Sequence, residues 1–217
     1  MDVACLQLLL LLVRRKRKEE IKMTTLIEAL QVFHIINAIL MAWPFYALVA
    51  VNQRARLGPP LGDRVDIYME NIIKNRTIPC FVFQATALIT GVALVALRGQ
   101  SVEVLLSNPA LAAKLLLLVL IIVLLAYVHT SVQPRIDALF TQLEAKPVPG
   151  DIAATISALR LRRKRVATVC MFVVLTVSML GVQVWSAFPV WLTLVLLVAI
   201  IVFTWHSYKS VTPYGWF

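Results

Sequence analysis

Continuous apolar runs occupy about residues 26–51, 78–97, 110–132, 166–185 and 188–207. Each is near the roughly 20 residues that an α-helix needs to cross a bilayer. Membrane strands would instead alternate apolar and polar positions over segments of about 10 residues, and these runs do not. The pattern predicts an all-α polytopic membrane protein, a bundle of about five transmembrane helices. Punctuation between the runs agrees. Pro44 falls late in the first run and should kink it. Gly58-Pro59-Pro60 and Gly62-Asp63 carry turn chemistry, and residues 65–73 can form a short amphipathic surface helix with Val65, Met69 and Ile72 on one face. Pro79 sits in the first turn of the second run, where proline is tolerated. Asn108-Pro109 reads as a helix start and Gln133-Pro134 as the close of the third run.

The third run leads into a long loop, 133–165, in which 137–145 is expected to be helical and Lys146 to Asp151 to break it. Residues 152–163 then read as an amphipathic helix entering the basic run Arg160 to Arg165. A tight turn at Ser186-Ala187 would fold the last two spans into an antiparallel hairpin. Trp185, Trp191, Trp205 and Trp216 fall near the expected interfaces, as an aromatic belt does.

The N-terminus fits less well. Its apolar stretch, Val3 to Val13, is about 11 residues and too short to span comfortably. The basic block Arg14–Lys18 follows that stretch, whereas a signal peptide has its charges first. Residues 1–22 are therefore expected to be a doubtful extension, an interfacial helix or a strained extra span. Met23 offers an alternative beginning for a bundle over 23–217.

Composition strengthens the membrane reading. Of 217 residues, 60% are hydrophobic and 15% charged, against about 45–50% and about 25% in soluble domains. The net charge of +10 invites a nucleic-acid reading, but no reading module accompanies it. The basic residues gather instead in loop 52–77 (Arg54, Arg56, Arg64, Lys74, Arg76), in loop 133–165 and at Lys209, while the opposite side holds essentially Arg98. By the positive-inside rule both long loops and the C-terminus are expected to be cytoplasmic. The Arg14–Lys18 block runs against that orientation. The basic loops should meet anionic headgroups. Cys5, Cys80 and Cys170 form no metal or redox spacing.

Candidate chemistry lies in the first span. Glu28, Gln31, His34 and Asn37 recur every three residues, and each step turns the helix by about 300°. The stripe thus drifts slowly around one side, which should face the bundle interior. It can serve helix–helix hydrogen bonding or a ligand site. Lys114 starts the third span and would lie in the layer of His34. It can snorkel to headgroups or bind an acidic group. His129 is 15 positions further on, roughly 22 Å along the axis, so it and Lys114 cannot share one small site. It pairs more naturally in depth with His206. No metal-ligand pair, hydrolytic triad or phosphate loop occurs, and catalytic residues remain unassigned.

Two segments carry a resemblance. The first span, EALQVFHIINAILMAWPFYAL, is similar to the first helix of the HemJ-type protoporphyrinogen oxidases and copper resistance D-like proteins. The third, AAKLLLLVLIIVLLAYVH, resembles a later helix of that group. The resemblance implies a redox-related protein binding haem b or a porphyrin. His34 would be the iron ligand, Lys114 a cofactor- or substrate-facing base and His129 a secondary ligand. Glu28, Gln31 and Asn37 would be polar support. The residues themselves leave two further expectations open, a non-enzymatic accessory subunit held to membrane-protein partners or a second copy, and a small permease or metal importer.

Overall fold

In the computed structural model, residues 3–209 are described, except 42, 76, 145–149, 185 and 187. Ala42, Arg76, Lys146, the break at 146–149, Trp185, Ala187, Trp216 and the C-terminus therefore lie outside the described residues, as do the side chains of 3–13, including Cys5, and of Trp43. Every regular element among the described residues is helical: α1 (Val3–Leu40), α2 (Trp43–Leu57), α3 (Arg64–Lys74), α4 (Thr77–Leu97), α5 (Val104–Ser107), α6 (Pro109–Tyr127), α7 (Gln133–Phe140), α8 (Gly150–Gln183) and α9 (Val190–Lys209). Five helical stretches are long and apolar enough to cross a membrane: Arg14–Leu57, Arg64–Leu97, Pro109–Phe140, Asp151–Gln183 and Val190–Lys209. The protein is an all-α membrane bundle.

The proline in the first span breaks the helix outright. Pro44 has no N–H for the carbonyl four residues back, and its ring crowds that carbonyl. Residue 40 is the last of α1, and α2 restarts at Trp43. The final α1 bond runs from the Met41 amide to the Asn37 carbonyl at 3.0 Å. At its other end α1 continues back to Val3 without interruption, so 3–22 is a helical extension of the first span. Residues 14–26 of it are exposed.

Local signals set the other boundaries. Asp63 caps α3, its carboxylate accepting from the Val65 amide at 3.3 Å, and Gly62 supplies the positive φ of 79° that the preceding turn needs. Asn108 caps α6, accepting from the Ala110 and Leu111 amides at 3.0 and 3.3 Å, with Pro109 following. Gln133-Pro134 does not end that span. A π-helical stretch, Val128–Val132, carries it directly into α7, with Pro134 in the first turn. Pro134 brings no N–H to this continuous helix, and the wider π-helical turn before it, in which the Gln133 amide reaches back to the Val128 carbonyl, accommodates the missing bond. Likewise the basic run does not separate two helices; α8 passes unbroken through Arg160 to Arg165.

The most extensive interface joins α6 to α8. Helix α1 packs chiefly on α4, and α8 also meets α2 and α9. Met41, at the break, joins Leu118 and Ile121 of α6 and Val173 and Val174 of α8 in the buried core, with Phe83 and Ala87 of α4 packed against it. The break thus sits where four spans converge. It separates a polar layer toward the short-loop end from a charged layer toward the basic-loop end.

Candidate functional site

The polar stripe of α1 meets α4 rung by rung. Gln31 Oε1 accepts from the Arg98 guanidinium at 3.4 Å. His34 Nδ1 lies 2.6 Å from Thr90 Oγ1, and Asn37 Nδ2 donates to the Phe83 carbonyl at 2.8 Å. The α1 residues rise by threes while their partners descend α4, as antiparallel neighbours must. Glu28, at the head of the stripe, is exposed and outside this ladder.

The middle rung fixes a tautomer. A threonine hydroxyl has one proton and two lone pairs. Thr90 Oγ1 is 2.6 Å from the carbonyl of Thr86, one turn back on α4. Two bare oxygens would repel at that distance, so the hydroxyl proton is given to Thr86. The hydroxyl must then accept from His34, which places the imidazole proton on Nδ1. Nε2 is left as a lone pair with no hydrogen-bond partner among the described residues. Orienting one ring nitrogen to free the other is how proteins prepare histidine ligands. The ring lies against Gly91 of α4, where an added Cβ would stand in ordinary van der Waals contact, 3.5 Å from His34 Cε1.

Lys114 enters the same layer from α6. It is half-buried and has no acidic or hydrogen-bonding partner among the described residues. Its amine rests on α8 at a second glycine, where an added Cβ at Gly181 would come within 3.3 Å of Nζ. A base lone pair and an uncompensated ammonium therefore share one layer, each fitted against a glycine of a neighbouring span. Together they suit an acidic ligand that also carries a Lewis-acid centre.

His129 does not join them. It is exposed near the opposite end of the third span, where Nδ1 lies 3.2 Å from Thr77 Oγ1 and the ring meets Phe81 edge-on. His206 is exposed on α9. No group of three or more His, Cys, Asp or Glu positioned for a metal occurs among the described residues.

At the basic-loop end the structure assembles a charged cluster that sequence reasoning missed. The face of α3 turned inward is acidic, not the Val65–Met69–Ile72 face. Asp66 is 1% and Glu70 5% exposed, while Val65 is 42% exposed. The reason is pairing. Arg54 of α2 reaches Glu70 at 2.9 Å and Asp66 at 3.9 Å. Arg160 of α8 reaches Asp66 at 2.9 Å and Glu70 at 3.3 Å, and also lies over the Phe140 ring. Arg163, one turn on, grips Glu70 with both terminal nitrogens. Gln133 of α7 donates to Glu70 at 3.3 Å and accepts from Arg163.

Three guanidiniums thus face two carboxylates, leaving one positive charge in excess. Desolvating such groups costs several kcal/mol each, offset only by good geometry. Two donors lack a hydrogen-bond acceptor among the described residues, Nε of Arg160 and Nε of Arg163; the first still lies 3.3 Å from a Glu70 oxygen, and the second, on a residue 3% exposed, has neither hydrogen bond nor ion pair there. The basic run therefore divides by helical phase. Arg160 and Arg163 go inward, while Arg162 and Arg165 stay exposed. The available sequence signals were the i, i+4 pair Asp66/Glu70 and the i, i+3 pair Arg160/Arg163, opposite charges at matching helical spacing.

No protein family, curated protein or solved structure matches this chain.

Proposed function

We propose that this chain is an integral membrane protein that binds a porphyrin-class ligand, haem b, between His34 and Lys114. The observation that carries the reading is the Thr86–Thr90–His34 relay, which leaves Nε2 of His34 as an unpartnered lone pair in the layer of Lys114. His34 would hold the iron and Lys114 a carboxylate, and the bound group would supply one-electron redox chemistry. Thr90 orients the imidazole, and the two side chains lie against Gly91 and Gly181 of neighbouring spans. The basic loops and C-terminus are assigned to the cytoplasm of a bacterial inner membrane, which places this layer in the outer half of the bilayer. Protein purified in mild detergent from haem-replete cells should show a Soret band. Colourless protein would overturn the proposal.

A second reading is favoured by the ladder itself, since Gln31, His34 and Asn37 all fasten α1 to α4. In it the chain is a non-enzymatic subunit of a larger membrane assembly, and Phe33, Ile36 and Ile39, exposed on α1, meet a partner helix. Partners that co-purify, with His34→Ala tolerated, would select it.

A further inference from the structure

The charged cluster opens onto an apolar slot. A cavity of about 70 Å³ lies among α2, α4, α6 and α8 at the basic-loop end. Ala47, Val51, Leu125, Ala167 and Cys170 form its walls. Gln133, Arg163 and Lys164 stand at its polar end. All four helices belong to spans, so the walls lie within the apolar slab. The polar end lies where the basic run leaves it, at headgroup depth. We infer that this slot binds one anionic phospholipid of the leaflet at the basic-loop end, an acyl segment between the spans and a phosphate oxygen on Arg163.

Three independent features converge on that occupant. Arg163 is buried, its two terminal nitrogens are committed to Glu70 and Gln133, and its Nε–H has no acceptor among the described residues. An oxygen from a ligand would complete it. The cluster carries one positive charge beyond its carboxylates, and Lys164 adds another beside it, so the ligand should be an anion. Lys164 is steadied over the Tyr208 ring at 4.9 Å. Finally, the walls are mostly apolar, with no charge beyond the polar end, so a free inorganic anion gains little from them, whereas a lipid fills both halves. The site is remote from His34 and independent of any porphyrin there.

Native mass spectrometry of the delipidated full chain tests this, with phosphatidylglycerol and phosphatidylcholine of identical acyl chains. With two basic groups at the headgroup, the first phosphatidylglycerol should bind about 30-fold more tightly than phosphatidylcholine. Millimolar inorganic phosphate should not displace it. Ala167→Phe fills the slot without touching a charge and should abolish the preference. Ala47→Phe does the same from α2 should the first variant fail to fold. Equal binding of the two lipids would overturn the inference, as would displacement by phosphate alone or undiminished binding in a folded slot-filled variant.

Discussion

At the residue scale, the consequential atom is Oγ1 of Thr90. It donates to Thr86 and accepts from His34, so it decides which imidazole nitrogen is free. Thr90→Val keeps the volume and removes both roles. The unmade bond at Nδ1 should cost about 1–3 kcal/mol, read as a lower melting temperature in detergent. Thr90→Ser should retain the wild-type value; a melting temperature for Thr90→Val equal to wild type would show that the rung does nothing for α1–α4 packing. The stripe itself was legible from three-residue spacing. The tautomer was not, because it depends on a hydroxyl 56 positions away from His34. The glycines beside the two side chains were hidden for the same reason. Nothing in the pattern around Gly91 or Gly181 says which neighbour approaches it.

At the element scale, hydropathy located the spans but not their ends. Helix ends follow local chemistry that the eye misplaces by a few residues. Pro44 was expected to kink the first span, and it separates α1 from α2. Replacing it with alanine restores the donor to the Leu40 carbonyl, so amide exchange across residues 40–45 should slow. Unchanged exchange would mean that packing around Met41, not proline, maintains the break. Helix α3 is the instructive departure. Its sequence advertises an apolar face, yet its acidic face is buried because three arginines from α2 and α8 wait for it. Hydrophobic pattern cannot anticipate a face that is buried by charge pairing across long separations. Glu70→Gln should strand Arg163 and Arg54 and cost about 3–5 kcal/mol of stability. Pairing it with Arg163→Gln should recover part of that loss. Simple additivity of the two losses would contradict a coupled cluster.

At the scale of the whole molecule, the break at Met41 partitions the bundle. One end holds an imidazole and an amine beneath the exposed, charged extension of α1; the other holds a dense ion network and an apolar slot. The charge asymmetry assigns these ends to opposite faces of the membrane. Single cysteines at Ser101 and Arg64 test it in a background lacking the native three: in intact cells an impermeant maleimide should label the first and spare the second. The reverse pattern would invert the bundle. Fold class and span number were readable because lipid enforces long apolar runs. The function of the polar layer was not, since a stripe of this kind serves packing and ligation alike. The central claim is that His34 and Lys114 hold a porphyrin together, and haemin titration of apo wild type, His34→Ala and Lys114→Met, followed at the Soret band, tests it most directly. Wild type should give a saturable, ligated spectrum. His34→Ala should lose that spectrum. Lys114→Met should keep its shape with affinity weakened about tenfold, the loss of one charge-assisted contact. Three indistinguishable titrations would contradict the account.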